Sequence, residues 1–180
     1  KANLILDLSR IWNWLKVNKL NLNAIKTEFM IIGTKQNIVK IGNLLAIKVD
    51  HNLIKRVYRT KYLGIIIDDT LCWNDHIDYI ATKIKRNLGV MKRVSRNIPK
   101  NYMTMLYRTL IEPDLRYCNI VWGYCNQTQL NRLQTLQNRA ARIVTGTAYD
   151  EADHPQLLSE LNWLNVRQII KYETLSLMYK

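Results

Sequence analysis

Eight cations and no acid lie between Asp78 and Glu112. The 33 residues from Tyr79 to Ile111 carry Lys83, Lys85, Arg86, Lys92, Arg93, Arg96, Lys100 and Arg108, most of the chain's formal charge of +13. Solubility alone favours interspersed signs. A one-sign cluster suits a surface that meets a polyanion, because Lys and Arg neutralise phosphates whatever the sequence they belong to. Two other groups invite chemistry. Asp68-Asp69 has the form of the paired carboxylates that hold two metal ions roughly 3.5–4 Å apart in phosphoryl transfer. Here, however, the pair ends an isoleucine run, leads into Thr70, Leu71 and Cys72, and has no third carboxylate nearby. It reads as a polar strand end that caps the next helix. Lys26 stands before an apolar segment, as a general acid or as a plain surface lysine. Lys61, Tyr62, Leu63 and Gly64 form a turn in which glycine permits close approach of backbone to a ligand, or merely a tight connection between strands.

The sulfur and imidazole groups suggest no metal site. Cys72, Cys118 and Cys125 are odd in number and scattered, and with His51, His76 and His154 they form no Cys-x-x-Cys or His-x-x-x-His pair. That count and spacing argue against a disulfide framework and make no zinc module, and the three thiols are expected to be buried in a reducing compartment.

These groups must be positioned by a chain of 180 residues, 48% hydrophobic, which is one large domain or two small ones with a real core. No apolar run approaches the roughly 20 residues of a membrane helix. Asp7 and Arg10 interrupt any secretory signal, so no membrane partner is expected and the setting is intracellular. The chain starts at Lys1 and ends at Lys180 inside a helical pattern, which reads as a piece of a longer polypeptide.

Residues 2 to 18 predict a helix, with Leu4, Leu8, Ile11, Trp12 and Leu15 on one face and Asn18 and Asn21 ending it. Short β-branched runs follow: Ile38 to Ile41, Leu44 to Val49, Leu53 to Val57 and Tyr62 to Ile67, with Gly42-Asn43 and Asp50-His51-Asn52 as turn signals. Residues 26 to 68 therefore predict a small, mostly antiparallel sheet. After Asp69 the period changes. Ile77, Ile80, Ala81, Ile84, Leu88 and Met91 make a long stripe near period 3.6. Pro99 opens a second helix with the stripe Tyr102, Met105, Leu106 and Thr109, and Pro113 stops it. A third runs over 127 to 145 with Leu130, Leu133, Leu136, Ala140 and Ile143, capped by Gly146. Gln156 to Leu161 and Val166 to Met178 are helical patches. The expected class is α+β: an N-terminal helix and small antiparallel sheet over 1–69, then an all-α domain over 70–180.

Lys85, Arg86, Lys92, Arg93 and Arg96 fall off the apolar stripe of the 75 to 95 helix and suit backbone phosphates. Arg132, Arg139 and Arg142 recur on another helix, either extending that track or pairing with Glu151 and Asp153. The tryptophans Trp12, Trp14, Trp73, Trp122 and Trp163 offer base-stacking surfaces, but most sit within apolar periodicity and read as core.

Four strings occur together: WLKVNKLNLNAIKTEFMIIG at 14 to 33, KYLGIIIDDTLCWNDHI at 61 to 77, LYRTLIEPDLRYCNIVWG at 106 to 123 and LQNRAARIVTG at 136 to 146. In this order they resemble reverse transcriptases of non-LTR (LINE, jockey-like) retrotransposons. The resemblance implies the C-terminal edge of a polymerase palm over 1–69 and a helical thumb over 70–180. Lys26-Thr27 matches motif D, where a lysine protonates departing pyrophosphate. Lys61, Tyr62, Leu63 and Gly64 match the primer grip, and Lys83, Lys85, Arg86, Lys92, Arg93 and Arg96 fall on the thumb. The implied partners are RNA template, DNA primer and the remaining palm and fingers of the parent polypeptide, in cytoplasm and nucleus. The resemblance places the aspartates that hold Mg²⁺ upstream of Lys1, so no cofactor is expected in this segment and the parent rather than the segment is the enzyme. Two alternatives stay open: a non-catalytic nucleic-acid-binding protein derived from such an element, and a helical protein-interaction module with a basic face.

Overall fold

The computed structural model describes residues 2–23, 25–41, 46–49 and 52–179. The turn signals Gly42-Asn43 and Asp50-His51, with Leu44, Leu45 and the side chain of Leu4, lie outside the described residues. The chain divides into two compact units, Lys1–Leu71 and Cys72–Lys180, and its class is α+β.

In the first unit α1 (Ala2–Val17) is followed by β1 (Glu28–Phe29), α2 (Lys35–Ile41), β2 (Lys48–Val49), β3 (Asn52–Leu53), β4 (Lys55–Arg56), β5 (Arg59–Tyr62) and β6 (Ile65–Asp68). Its strands do not form one antiparallel sheet. Among the described residues they pair as three separate two-stranded ladders: β1 with β4 in parallel, and β2 with β3 and β5 with β6 antiparallel. Ile47, Val49 and Ile54 make the buried centre, with Leu8, Trp12, Leu22 and Phe29 packed against it. Ile11, expected on the inner stripe of α1, is exposed.

The run from Ile38 to Ile41, expected as a strand, is helical. Thr34 supplies the reason: its Oγ1 accepts from the Asn37 N–H at 3.3 Å and its carbonyl from Ile38 N–H at 2.9 Å. That is N-cap geometry, and it satisfies donors that a β-branched run cannot. Ile38 is then buried while Val39 is exposed. The run from Tyr62 to Ile67 is likewise not one strand but the close of a hairpin. Arg59 faces Asp68 and Tyr62 faces Ile65 across it, and Leu63 and Gly64 turn the chain with φ of 46° and 86°. Two positive φ values in a two-residue loop match the right-handed twist of the flanking strands.

The second unit is helical: α3 (Asn74–Val94), α4 (Lys100–Leu110), α5 (Glu112–Arg116), α6 (Asn119–Trp122), α7 (Gln127–Thr145), α8 (His154–Glu160) and α9 (Val166–Met178). All six stripe residues of α3 are buried. Helix α7 begins at Asn126, whose side chain accepts from Gln129 N–H, and ends at Gly146 with φ of 76°, a conformation in which glycine avoids the Cβ clash. Helix α4 is turned from its expected phase, burying Met103 and Tyr107 while Tyr102 and Met105 are exposed. Tyr107 decides that phase. Its ring stacks on Trp163 at 3.5 Å between centroids, and its hydroxyl accepts from Gln137 Nε2 at 2.8 Å. Burial pushes the Tyr107 phenol pKa upward, against the opposing effect of the Gln137 hydrogen bond. Pro113 does not simply stop α4; it lies in the first turn of α5, where a missing N–H is harmless.

Gly123 lets α6 and α9 approach. A Cβ there would stand 2.4 Å from the Asn119 carbonyl and 2.8 Å from Ile170 Cγ2. Beside it Trp122 is fully buried, its indole N–H donating to the Tyr117 carbonyl at 2.9 Å. Trp73 and Trp163 are also buried, whereas Trp14 is exposed. The cysteines depart from expectation: Cys72 and Cys118 are exposed and Cys125 is half-buried. Cys118 takes a left-handed φ of 49° at the N-cap of α6. The partial burial of Cys125 raises its thiol pKa.

Candidate nucleic-acid interface

Helix α3 sorts its cations into two groups. At about 100° per residue, Lys85, Arg86, Lys92 and Arg93 fall within an arc of roughly 120° centred on Gly89, off the buried stripe, with Asp75 and Asp78 on the same side at the start of the helix. All four are exposed, and Arg96 continues the row just past the C-cap Ser95. Lys83 falls outside that arc. Its Nζ pairs with Asp114 of α5 at 2.5 Å, and on the same flank Asn87 donates to the Leu110 carbonyl. The acid-free window therefore concealed one ion pair, because Asp114 lies 31 residues further along. Among the described residues, Lys85, Arg86, Lys92, Arg93 and Arg96 have no acidic partner.

The arginines of α7 have mixed fates. Arg132 pairs with Asp78 of α3, not with Glu151 or Asp153. The Arg142 guanidinium lies 4.7 Å over the Tyr149 ring. Arg139 is exposed. Further round the unit, Arg116 joins Glu112 and Glu173. Burial works against its cation, but the hydrogen bonds to those two carboxylates prevail and raise its pKa. Three acids of this unit, Asp78, Asp114 and Glu173, pair across helices, and from Lys83 to Arg96 the α3 segment carries cations and no acid of its own.

In the first unit the Lys61–Gly64 segment closes the β5–β6 hairpin. Its tip holds Tyr62 at 64% and Leu63 at 72% exposure, an aromatic and an aliphatic side chain presented to solvent. Leu63 occupies the left-handed region, which costs a non-glycine residue about 1–2 kcal/mol. Lys26 is exposed in the turn before β1, where its N–H donates to the Asn23 carbonyl at 3.1 Å. Thr27 Oγ1 donates to the same carbonyl at 2.9 Å. Glu28 then pairs with Lys55 across β1 and β4 at 3.9 Å.

The Asp68-Asp69 pair does not fit the metal ions of phosphoryl transfer. Asp68 Oδ1 accepts both the Thr70 N–H at 3.1 Å and the Thr70 hydroxyl at 2.7 Å. It caps this turn rather than α3, whose N-cap residue is Trp73. Among the described residues no three His, Cys, Asp or Glu side chains stand together as metal ligands. This donor set does not hold the two Mg²⁺ ions of nucleotidyl transfer, and no chemical step runs through it.

The chain is similar in sequence to polymerases of mobile elements. Over 151 residues, 80% of the chain, it is 24% identical to 15% of the RNA-directed DNA polymerase from mobile element jockey of Drosophila melanogaster. Over 90 residues, 48% of the chain, it is 29% identical to 10% of the probable RNA-directed DNA polymerase from transposon X-element of the same organism. The jockey polymerase of Drosophila funebris is 24% identical over 106 residues, 57% of the chain and 12% of that protein. No protein-family model matches, and no solved structure does. The chain resembles reverse transcriptases of jockey-like non-LTR retrotransposons, and it spans 10–15% of the length of these relatives. No helix among the described residues is long and apolar enough to cross a membrane.

Proposed function

We propose that this chain is the part of an RNA-directed DNA polymerase of the jockey-like class that grips nucleic acid. The second unit acts as a thumb that holds the RNA template and growing DNA strand through their phosphates. The first acts as a palm edge, with the Lys61–Gly64 hairpin against the primer and Lys26 near the leaving pyrophosphate. One observation carries this reading: α3 keeps Lys85, Arg86, Lys92 and Arg93 exposed while its remaining cation, Lys83, is committed to Asp114. A merely solvated helix face would mix signs. Lys85 and Lys92 stand two turns apart, about 10 Å along the axis, a length that covers about three phosphates of one duplex strand.

The test is a salt titration of binding to an RNA–DNA hybrid. Parent affinity should fall with a log–log slope of roughly −0.7 to −0.9 per phosphate neutralised. Replacing Lys85, Arg86, Arg93 and Arg96 together by Gln should flatten the slope by several units, with little change in sequence preference, because phosphate contacts position rather than specify. Melting should be near that of the parent, since all four are exposed. A folded variant that keeps the parent's affinity and slope ends the thumb assignment and leaves the basic face to an acidic protein partner.

A further inference from the structure

We propose that Lys85 of α3 and Arg139 of α7 hold one backbone phosphate jointly, across the seam where the two helices pack; this rests on the nucleic-acid reading above. The register between the two helices brings these residues to one level. At the start of the seam Gln129 Nε2 donates to Asn74 Oδ1 at 2.7 Å, and one turn later Arg132 pairs with Asp78. The offset between partners is 55 and then 54 residues, so the helices run parallel here with their flanks in step.

Seven residues return a helix to the same side within about 20°. Two turns beyond the Asp78–Arg132 pair, α3 therefore presents Lys85 where Asp78 stood, and α7 presents Arg139 where Arg132 stood. The helices stay packed to that level: Ala81, Ile84 and Leu88 of α3 and Leu136, Ala140 and Ala141 of α7 are all buried, and the alanines permit close approach. Both Lys85 and Arg139 are exposed, and neither has an acidic partner among the described residues. The same seam position thus changes from a neutral hydrogen-bonded pair, to a neutralised ion pair, to two cations side by side.

Two like charges across a packed seam repel, and an anion between them removes the repulsion. The chemistry suits a phosphodiester: the guanidinium offers a planar fork to two oxygens and the ammonium a compact charge to a third. Beyond it Lys92, Arg93 and Arg96 continue the track, while Asp78, already spent on Arg132, closes it at the other end. The basic surface is accordingly a path with a defined start on two helices, not a diffuse charge on one.

The experiment measures the salt slope of RNA–DNA hybrid binding for the parent chain, Lys85→Gln, Arg139→Gln, the double variant, and a control double, Arg167→Gln with Lys171→Gln on α9. One phosphate can be neutralised only once, so either single substitution should leave the slope near the parent's and the double should lower it by about 0.7–0.9. The charge-keeping double Lys85→Arg with Arg139→Lys should retain the parent slope, and melting curves confirm that each variant folds. If each single variant lowers the slope by a full step and the double by two, the residues hold separate phosphates and the proposal is wrong. It is also wrong if Arg139→Gln adds nothing to Lys85→Gln, or if the α9 control matches the seam double. A parent chain without salt-dependent hybrid binding overturns the nucleic-acid reading itself, and this site with it.

Discussion

The two units solve the problem of ordering a chain in different ways. The second buries long helical stripes and ties its helices with polar pairs that cross them: Lys83 to Asp114, Arg116 to Glu173, Arg132 to Asp78, Gln137 to Tyr107. The first has, among the described residues, three ladders of two strands each, elements that are marginal by themselves in water, and a small centre of Ile47, Val49 and Ile54. It also leaves Trp14, Val17 and Ile25 exposed. The difference bears on function. A helical body that holds its own shape can carry cations at fixed spacing, which is what backbone binding asks for. A hairpin tip and a turn lysine on a lighter scaffold suit contacts that must adjust to a substrate. The second unit is therefore expected to govern affinity and the first to govern rate.

The largest test of that division is Lys26→Ala in a polymerase that carries this segment. If Lys26 donates the proton to departing pyrophosphate, single-turnover incorporation at saturating nucleotide should slow by about 10²–10⁴-fold, with template–primer affinity near that of the parent. An unchanged rate returns Lys26 to a surface lysine and removes the catalytic half of the comparison.

A second test compares two tryptophans. Trp122→Ala should destabilise the second unit by about 3–5 kcal/mol, because the side chain is fully buried and its indole N–H is bonded to the Tyr117 carbonyl. Trp14→Ala, at 60% exposure, should change stability by about 0.5 kcal/mol or less. Chemical denaturation reads both. Similar losses would mean that the first unit is as tightly built as the second.

The same contrast explains what the sequence made legible. Long periodic segments were readable: the α3 stripe, α7 with its Gly146 cap, and α9 all lie where their spacing puts them. Short segments were not. Seven residues at Ile38 carry too few periods to separate strand from helix, and the deciding group, the Thr34 cap, lies outside the apolar run. Helix α4 is apolar on several faces, so its phase was set by Tyr107, Gln137 and Trp163, which are distant in sequence. For the interface, charge composition pointed to α3, but the separation of Lys83 from the outer arc depends on Asp114, and the role of Arg139 depends on the register between two helices. Neither is visible within one helical segment.

A smaller effect is expected at the hairpin tip. Asn tolerates the left-handed region better than Leu, and Asn-Gly is the favoured pair for this turn. Leu63→Asn should therefore stabilise the β5–β6 hairpin by about 1 kcal/mol, read as slower amide exchange in residues 59–68. Strained residues persist where function needs them. If the exposed Leu63 side chain touches the primer, the steadier variant should also bind template–primer less well. A gain in stability without loss of binding would assign the strain no function.

A small stability change, and the sharpest reading of the second unit, is expected from Asp78→Asn. The Asp78–Arg132 pair sits at the surface, and such pairs contribute about 0–1 kcal/mol, so the melting point should barely move. Binding should change more visibly. Without its carboxylate partner Arg132 is released to the seam, one heptad before Arg139, and the cationic path lengthens at the end where Asp78 had closed it. Hybrid affinity at low salt should rise, and the salt slope should steepen by about one phosphate, roughly 0.7–0.9. Removing a negative charge anywhere on the surface raises affinity slightly through the general field, so Asp150→Asn in the loop after α7 provides the comparison. A steeper slope for Asp78→Asn alone marks the Asp78–Arg132 pair as the boundary of the track. Equal, small gains in both variants would mean that the phosphates never reach this part of the seam and that the path ends nearer Lys92.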